Sequence, residues 1–361
     1  MRKLHFAWIA IAAGMLARAA WAALGPDAVF ADALGYRAIA HALAEGRGAS
    51  AYWMPGWPFW MSLVYRVGGG DGAVIAASVA LGAATIGATW LLARELFDRQ
   101  SALVAAAACA LVPSLVLLPR LLLSENLAIP LFALATVALV RAVKTRRTRD
   151  WIAFALATAA ATYVRESSAV LVLAAILSRS PRAIAIALVT FALALAPWAL
   201  RNRAATGHVT LTTSSGPNLC IGLGDGATGG YRKLDDAITQ EEGLRCAREG
   251  LAHRPLEIVT LAPAKLSRLV VWDDWIVDDF LDDTSARGGA TRAMRAFCNL
   301  GWWALLAGAA VVSLRRRETR VLLVPMATVA LSVVVTFGVG RFHAPLIPLL
   351  AVLASGYRRR S

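Results

Sequence analysis

The sequence predicts an all-α polytopic membrane protein, and three observations support this fold class. Hydrophobic residues make up 58% of the 361 residues, which is more than a soluble chain of this length would carry on its interior. Apolar stretches long enough to cross a bilayer as helices, about 20 residues, recur along the whole chain. Short basic clusters lie at alternate ends of these stretches, which is the charge pattern of a multi-pass membrane protein.

The apolar stretches predict ten transmembrane helices. The predicted bounds are 6–25, 72–94, 101–119, 122–141, 151–164, 167–178, 183–200, 298–314, 321–339 and 343–357. The fifth and sixth are short because the apolar stretch 151–178 carries Arg165 and Glu166 at its centre. Two adjacent charges are costly at mid-bilayer, so we predict a hairpin of two short helices with the charged pair at its tip.

The basic residues predict the orientation of the chain. With ten crossings, six basic-rich segment ends fall on one side, which the positive-inside rule assigns to the cytoplasm. These ends contain Arg2 and Lys3; Arg94 and Arg99; Arg141, Lys144, Arg146, Arg147 and Arg149; Arg179 and Arg182; Arg315, Arg316, Arg317 and Arg320; and Arg358, Arg359 and Arg360. This placement also explains the net charge of +14 without nucleic-acid binding, since no basic stripe lies outside the spans.

Three regions follow from the predicted topology. They are an N-terminal transmembrane module, 1–200, with a first extracytoplasmic loop at 25–70; an extracytoplasmic loop or cap at 201–297; and C-terminal transmembrane helices at 298–361. In the first loop, the tryptophans and prolines of Trp53–Trp60 favour a broken segment at the membrane interface. The second loop begins with a strand-like, glycine-rich stretch, 209–230, and contains Cys220 and Cys246. These cysteines could pair on an oxidising side of the membrane, although spacing does not determine connectivity.

Two carboxylates near the extracytoplasmic face are candidate catalytic residues. Asp32 precedes a helix-like stretch, with Tyr36 one helical turn later. It would serve either as a helix N-cap or as a carboxylate that accepts a proton from a hydroxyl at the mouth of the bundle. Glu125 opens the fourth predicted span. It would be either an N-terminal acid that the helix dipole favours, with Ser124 as the cap, or a functional carboxylate.

Arginines on the basic-poor side form a second group of candidates. They are Arg165, Arg201, Arg203 and Arg341. Arg165 would pair with Glu166, or with Glu125 across the bundle. Alternatively, several guanidiniums at one membrane face would bind an anion such as phosphate, because their forked donors match its oxygens. His343, beside Arg341, would be a neutral hydrogen-bonding residue.

The acidic stretch late in the second loop is interpreted as a solvated surface. It contains Asp273, Asp274, Asp278, Asp279, Asp282 and Asp283. The spacing does not match a calcium-binding loop, and the four cysteines show no CxxC spacing. The sequence therefore predicts no bound metal or cofactor, and it leaves the need for a divalent metal during catalysis open.

A set of short motifs lies in order on the predicted extracytoplasmic face. The motifs are Asp32 with Gly35 and Tyr36; Pro55-Gly56-Trp57-Pro58; Ser124-Glu125; Pro197-Trp198 with Arg201, Asn202 and Gly207; Ser215-Gly216-Pro217-Asn218-Leu219 with Gly222; and Arg341-Phe342 with Pro345 and Pro348. Together they resemble the membrane-embedded glycosyltransferases of the GT-C superfamily. The nearest resemblance is to glycosyltransferase family 39 and its bacterial relatives, which include protein mannosyltransferases and the lipid A aminoarabinose transferase. That family usually has an acidic pair in the first loop, whereas Ala33 follows Asp32 here.

The resemblance implies a GT-C-like bundle that transfers a sugar, with inversion, from a polyprenyl-phosphate donor. It implies Asp32 as the general base on the acceptor, with Glu125 orienting an arginine or the acceptor. The donor phosphate would be held by Arg165, Arg201 and Arg341. The residues placed near the donor or the acceptor are Tyr36, Pro55, Trp57, Asn202, Asn218 and His343. A sugar that arrives on lipid agrees with the lack of a nucleotide-binding motif.

We therefore predict a hexosyl- or pentosyl-transferring enzyme of the bacterial inner membrane, with cytoplasmic termini and a periplasmic active site. Its predicted partners are the lipid bilayer, a polyprenyl-phosphate-linked sugar and an unidentified acceptor in an envelope glycan, lipid or protein. One alternative is a transporter or flippase of a polyprenyl-linked or anionic substrate, which would need ionisable residues deep in its spans. Two others are a non-catalytic component of an envelope complex, which would tolerate loss of Asp32, and a ligase of the O-antigen type.

Overall fold

The chain folds as a bundle of helices joined by two large loops. The structure is a computed structural model that describes residues 2–27, 31–235, 238–277, 280, 288–313 and 317–356. The α-helices are α1 (Arg2–Leu24), α2 (Ala31–Ala44), α3 (Gly56–Arg66), α4 (Asp71–Leu96), α5 (Arg99–Leu111), α6 (Pro113–Leu117), α7 (Glu125–Thr145), α8 (Thr148–Val164), α9 (Pro181–Thr206), α10 (Ser215–Leu223), α11 (Gln240–His253), α12 (Glu257–Thr260), α13 (Ala262–Val270), α14 (Gly289–Ser313), α15 (Leu323–Val335) and α16 (Ile347–Ser355). The 3₁₀ helices include Leu118–Arg120, Glu166–Ser178, Arg317–Leu322 and Gly340–Leu346.

Long apolar helices confirm the predicted multi-pass, all-α membrane protein. Among the described residues, α1, α4, α7, α9 and α14 are each long and apolar enough to cross a membrane. The pair Arg99–Leu111 and Pro113–Arg120, bent by 63°, makes a sixth if it counts as one span. Shorter apolar helices lie at Glu166–Ser178, Thr319–Val335 and Gly340–Ser355. The count of ten crossings stays a prediction.

The bundle has a central helix and a peripheral one. In the apolar window of α7, 67% of the residues are buried inside the protein, whereas in α9 the share is 11%. Small residues allow the close approach of neighbouring membrane helices, and the contact of α1 with α5 shows this. A Cβ on Gly14 would overlap the Ala110 carbonyl oxygen. Because α7 is the central helix, the residues at its start are enclosed by the rest of the bundle.

The break between α5 and α6 is stabilised by an arginine from α1. Pro113 has no N–H to continue the helix, and Val112 before it is extended, with φ −63° and ψ 120°. The last carbonyl groups of α5 are left without helical donors. Arg18, which is 1% exposed, fills this role. It donates to Ala110 O and, at 3.2 Å, to Cys109 O.

The predicted hairpin at Arg165 is present. Helix α8 ends at Val164, Arg165 is extended with φ −141° and ψ 120°, and the 3₁₀ helix Glu166–Ser178 follows. The break puts the two charged residues between the apolar helices rather than within one of them. It also lets Arg165 and Glu166 take separate partners.

Both large loops lie at one end of the bundle. The Thr213 and Ser214 amides donate to the carbonyl oxygens of Ala51 and Tyr52, at 2.8 and 3.2 Å. At the other end, where α4 and α7 finish, Glu95 binds Arg141 at 2.6 Å and Lys144 at 3.5 Å. The basic clusters at 94–99 and 141–149 therefore lie together at the end opposite the loops, as the predicted topology requires. Arg315, Arg316 and the cluster Arg358–Arg360 lie outside the described residues.

The start of the second loop is helical rather than strand-like. Helix α9 continues to Thr206 and α14 begins at Gly289, so the segment between the long helices is 207–288. The stretch 209–230 contains α10, and within the described residues the only strand-type pairing at its end is an isolated bridge from Gly230 to Gly338. The strand-like interpretation is therefore wrong. A disulfide between Cys220 and Cys246 joins α10 to α11.

Candidate functional site

Asp32 and Tyr36 lie on one face of α2, because residues four apart in a helix are neighbours. Asp32 is in the first turn, and its Oδ2 accepts a hydrogen bond from Arg341 Nη2 at 2.7 Å. Both side chains are partly open, at 27% and 22% exposure. Asp32 therefore lies inside α2 rather than at its N-cap position, and its partner is a distant arginine. Its role as a proton acceptor stays a prediction.

Glu125 lies between two arginines. It is the first residue of α7 and only 1% of it is exposed. Arg165 Nη1 donates to Glu125 Oε1, and Arg341 Nε lies 3.7 Å from the same oxygen. Arg165 therefore pairs with Glu125 across the bundle and not with Glu166. Ser124 is not a side-chain cap; its hydroxyl donates to Glu125 Oε2 at 3.3 Å.

These four side chains form a charged quartet, Asp32, Glu125, Arg165 and Arg341, whose formal charges cancel. A buried carboxylate is strongly destabilising without a partner, so the two guanidiniums explain how Glu125 is tolerated. The Phe342 ring is the hydrophobic neighbour of both arginines. Its centroid lies 5.4 Å from Arg165 Cζ and 5.9 Å from Arg341 Cζ, within cation–π range. The sequence signals this only by placing an aromatic residue directly after Arg341.

Tyr36 connects the first loop to the quartet. Its hydroxyl donates to Ser124 Oγ at 3.4 Å. Burial, with the nearby carboxylates of Asp32 and Glu125, raises the pKa of Tyr36 to about 12, so it is a neutral hydrogen-bonding group near pH 7. The Trp53 ring packs on Tyr36 with 4.8 Å between centroids. Trp53 fits there because Gly35 has no Cβ, which would overlap the indole ring.

Arg201 and Asn202 brace the two loops against each other. Arg201 donates to the Ala49 carbonyl oxygen and to Asn202 Oδ1, and its guanidinium lies 5.0 Å from the Trp198 ring centroid. Asn202 is fully buried, and its Nδ2 donates to the carbonyl oxygens of Thr210 and Leu211, each at 3.0 Å. These contacts hold the start of the second loop in place.

The remaining motif residues support the backbone around the quartet. Trp57 is fully buried and donates from Nε1 to the Leu122 carbonyl oxygen at 2.9 Å, close to Ser124 in the chain. Pro55 is the N-cap residue of α3. Asn218 Nδ2 donates to Glu166 at 3.4 Å, and the Thr212 hydroxyl also donates to Glu166. Glu166 thus anchors the second loop, a role that its neighbourhood in the sequence did not indicate.

His343 and Asp273 form a buried pair. Both are fully buried, and His343 Nε2 lies 2.8 Å from Asp273 Oδ1. The interpretation of the acidic stretch as a solvated surface is therefore wrong for Asp273. Asp274 likewise accepts a hydrogen bond from Asn299, at 3.2 Å. The other members of the stretch, Asp278, Asp279, Asp282 and Asp283, lie outside the described residues.

The quartet combines a partly exposed carboxylate with two guanidiniums. Asp32 can accept a proton from a group that approaches the loop end, while Arg341 and Arg165 can exchange a carboxylate for another oxyanion. Across the part of the chain that the structure describes, no group of three or more His, Cys, Asp or Glu side chains is arranged to hold a metal ion. The quartet itself can accept a proton through Asp32 and bind an anion through its arginines.

Comparison with known proteins gives a family match over part of the chain and a similar fold. Residues 54–200 match the dolichyl-phosphate-mannose-protein mannosyltransferase family. No curated protein sequence matches the chain. The apo structure of the Archaeoglobus fulgidus oligosaccharyltransferase is similar at a TM-score of 0.54 and 15% identity, over 97% of this chain and 50% of that one. The same enzyme tethered to an acceptor peptide gives 0.52 and 14%, over 98% and 49%.

A third similar structure is ArnT from Cupriavidus metallidurans bound to undecaprenyl phosphate, with a TM-score of 0.49 and 14% identity, over 98% of this chain and 78% of that one. The chain spans about half the length of the oligosaccharyltransferase chains that it matches. At these identities the structural likeness concerns the fold alone. Residues 54–200 match the mannosyltransferase family model, and the chain as a whole shares the fold of the part of the oligosaccharyltransferase that it covers.

Proposed function

We propose that the chain transfers a sugar from a polyprenyl-phosphate donor to an acceptor at the loop end of the bundle. The observation that carries this proposal is the 2.7 Å contact between Asp32 and Arg341, beside Glu125 and Arg165. It supports the proposal because a carboxylate that can accept a proton lies next to guanidiniums that can bind phosphate. Glu125 and Arg165 lie within the segment 54–200 that matches the family. Asp32 and Arg341 lie outside it and are brought to it by the fold.

The proposed reaction is a single displacement with inversion at the sugar. Asp32 accepts the proton of the acceptor group while the acceptor atom attacks the anomeric carbon. The bond from that carbon to the phosphate oxygen breaks, and its electron pair stays on the lipid phosphate. The negative charge of the phosphate rises as the sugar leaves, so donors that are already positioned stabilise the transition state more than the bound donor.

Arg341 and Arg165 are the proposed partners of that phosphate. Each donates to a carboxylate, and a phosphate offers the same forked oxygen geometry. When Arg341 turns to phosphate, Asp32 becomes available as a base. Arg201 donates to the Ala49 carbonyl oxygen. It can act as a third phosphate ligand only if it gives up this contact for a phosphate oxygen.

The donor class is supported by the match of residues 54–200 to a family whose name specifies a sugar carried on dolichyl phosphate. For this chain we keep the shared chemistry, a sugar on a polyprenyl phosphate, and leave the sugar and the acceptor to experiment. A transporter or flippase is less favoured, because Glu125 and Arg165 lie at the ends of α7 and α8 rather than deep within their spans.

The proposed location is the bacterial inner membrane, with the quartet facing the periplasm and the termini in the cytoplasm. Single cysteines in a background without native cysteines test the orientation. A cysteine at Thr228, which is exposed in the second loop, should react with an impermeant maleimide on intact spheroplasts. A cysteine at Arg147, which is exposed between α7 and α8, should react only after the membrane is opened. The reverse pattern would invert the topology.

The activity is tested with the purified chain in nanodiscs. The donors are undecaprenyl phosphates carrying different radiolabelled sugars, and the acceptors are envelope fractions from a strain that lacks the gene. We expect one donor to label one fraction. Asp32→Asn should reduce this rate about 10²- to 10⁴-fold, the usual contribution of a general base. Glu45→Gln is the matched control, because Glu45 is an exposed carboxylate of the same loop.

Two results would overturn the proposal. No transfer from any donor by a folded wild-type protein would contradict the reaction. An asparagine variant that transfers sugar at the wild-type rate would contradict the role of Asp32 as base.

A further inference from the structure

The 3₁₀ helix Gly340–Leu346 carries Arg341 into the quartet, and His343 holds the other side of this helix. The His343 ring is fully buried and stacks on Trp302, with 4.0 Å between centroids and 15° between planes. A 3₁₀ helix has three residues per turn, so side chains two residues apart leave on different sides. Arg341 can therefore reach the quartet while His343 faces the second loop.

Both ring nitrogens of His343 face oxygen atoms. Nδ1 lies 2.8 Å from the Leu269 carbonyl oxygen, and Nε2 lies 2.8 Å from Asp273 Oδ1. A carbonyl oxygen only accepts, and an ionised carboxylate only accepts, whereas a neutral imidazole has one N–H. Trp275 Nε1 also donates to Asp273 Oδ1, at 3.1 Å. Two hydrogen bonds from the ring to these acceptors require a proton on each nitrogen.

The surrounding charges favour the protonated ring. Asp273 Oδ2 is buried and has no hydrogen-bond partner among the described residues, so without a cation its charge would be uncompensated. Asp274 adds a second carboxylate on the far side of Asn299, and Cys298 of α14 lies near both aspartates. Arg341 lies two residues before His343 on the same 3₁₀ helix, and Lys265 lies one turn before Leu269 on α13.

Lys265 provides a second attachment of the same segment. It is fully buried, and its Nζ donates to the carbonyl oxygens of Gly222, at 3.0 Å, and Val334, at 2.7 Å. These oxygens lie in the last turns of α10 and α15, where a cation is favoured. The Gly338 amide then donates to Gly229 O at 2.9 Å. The chain from Val334 to His343 is thus attached to the second loop on both sides of Arg341.

We infer that His343 is a positioning residue of the quartet: as an imidazolium held by Asp273 and Leu269, it fixes the 3₁₀ helix that presents Arg341. The second loop thereby acts on the site through a buried ion pair. The consequence for sugar transfer rests on the proposed function. The protonation of His343 and its effect on the segment 336–346 do not depend on the proposed function.

The first test measures protonation directly. The protein, with ¹⁵N-labelled histidine rings, is placed in nanodiscs at pH 7, and the His343 signals are assigned by their loss in His343→Gln. We expect both His343 nitrogens to show the imidazolium shift in the wild type, and Asp273→Asn to give a neutral ring. A neutral His343 in the wild type would overturn the inference, whatever the enzyme's activity.

The second test measures positioning with a matched pair of variants. Asp273→Asn should speed amide hydrogen exchange in the segment 336–346. It should also lower kcat for transfer about tenfold with KM for the donor nearly unchanged. The reason is that a misplaced charged group stabilises the transition state less, while binding of the donor changes little. Asp225→Asn is the control. Asp225 pairs with His253 at 3.1 Å on the exposed surface, so this variant should change neither measurement.

The outcomes separate the two proposals. Unchanged exchange in Asp273→Asn would overturn the positioning role even if transfer is never observed. Faster exchange with no transfer by the wild type would contradict the proposed function and leave the positioning role standing. If Asp273→Asn does not fold, His343→Gln, which puts a neutral hydrogen-bonding side chain in place of the imidazolium, replaces it in the exchange measurement.

Discussion

Arg18 and Arg341 are both arginines within the helix bundle, but different acceptors satisfy them. Arg18 donates to backbone carbonyl oxygens, those of Gly14, Cys109 and Ala110, and among the described residues no carboxylate pairs with it. Arg341 donates to the carboxylate of Asp32 and lies beside that of Glu125. The first arrangement completes a helix end that a proline interrupts. The second is an ion-pair network at the loop end.

The difference shows which buried charge can take part in chemistry. Backbone carbonyl oxygens at a broken helix cannot move away without unfolding the break, so Arg18 has nothing to exchange. Carboxylates are side chains, and they can turn or accept a proton while the backbone stays in place. An ionisable residue in a span is often treated as functional, but the identity of its acceptor atoms decides whether it is free to bind a substrate.

The largest expected contrast concerns the shape of the cation. Arg341→Lys keeps the charge and removes the fork that matches phosphate, so we expect kcat/KM for transfer to fall about 10²-fold. Arg18→Lys should leave the rate per folded molecule within about twofold. Both are measured in the nanodisc assay after size-exclusion chromatography. Equal losses in the two variants would remove the distinction between the two arginines.

A double-mutant cycle tests whether Arg165 depends on Glu125. Glu125→Gln leaves two guanidiniums with one carboxylate, and breaking a buried pair in this way costs about 3–5 kcal/mol of unfolding free energy. Adding Arg165→Gln should recover part of that loss, because the uncompensated charge is gone. Unfolding is followed by denaturant titration in micelles. Strictly additive losses would show that the two residues are not coupled.

Arg18 should depend on the break at Pro113 and not on a carboxylate. Arg18→Met leaves the Ala110 and Cys109 carbonyl oxygens without their donors, which costs about 1–3 kcal/mol. Pro113→Ala supplies an N–H that can satisfy Cys109 O, so the double variant should lose less stability than the sum of the single variants. Thermal unfolding of the four proteins measures this. A loss equal to the sum would show that Arg18 does not serve the helix break.

The smallest expected effect is the pH dependence that Tyr36 adds. The folded protein raises the pKa of Tyr36 from 10.0 to about 12, so the unfolded chain loses this proton first as the pH rises. The stability that the neutral tyrosine contributes is present below pH 10 and is lost between pH 10 and about 12. Tyr36→Phe should therefore show a shallower loss of stability in that range. Tyr231→Phe, at an exposed tyrosine, should follow the wild type.

Much of the site was visible in the sequence because it depends on local pattern. Charges within an apolar stretch predicted the hairpin at Arg165, and the helix-like stretch after Asp32 predicted that Tyr36 lies one helical turn from it. Asp32, Glu125 and the arginines were predicted on one membrane face because charge at span ends is a local property. The structure joins three of these predictions, Asp32, Arg165 and Arg341, in the quartet around Glu125.

Other parts of the site depend on pairings that local pattern cannot supply. Arg165 was equally able to meet Glu166, its neighbour, or Glu125, 40 residues earlier. Arg18 has no partner that is recognisable in the sequence, since backbone carbonyl oxygens become acceptors only where a helix is broken. Asp273 lies in an acidic stretch that indicates solvent, yet it is buried by its contacts with His343 and Trp275.

The sequence by itself thus determined the membrane class, the apolar segments, the hairpin and the kinds of side chain at the loop end. These follow from hydropathy and charge, which act over a few residues. Only the tertiary structure decided which acid meets which base: Asp32 and Arg341 are 309 residues apart, and Asp273 and His343 are 70 apart. Such pairings result from the packing of the whole bundle, where burial makes an unpaired charge too costly and selects the partners that neutralise it.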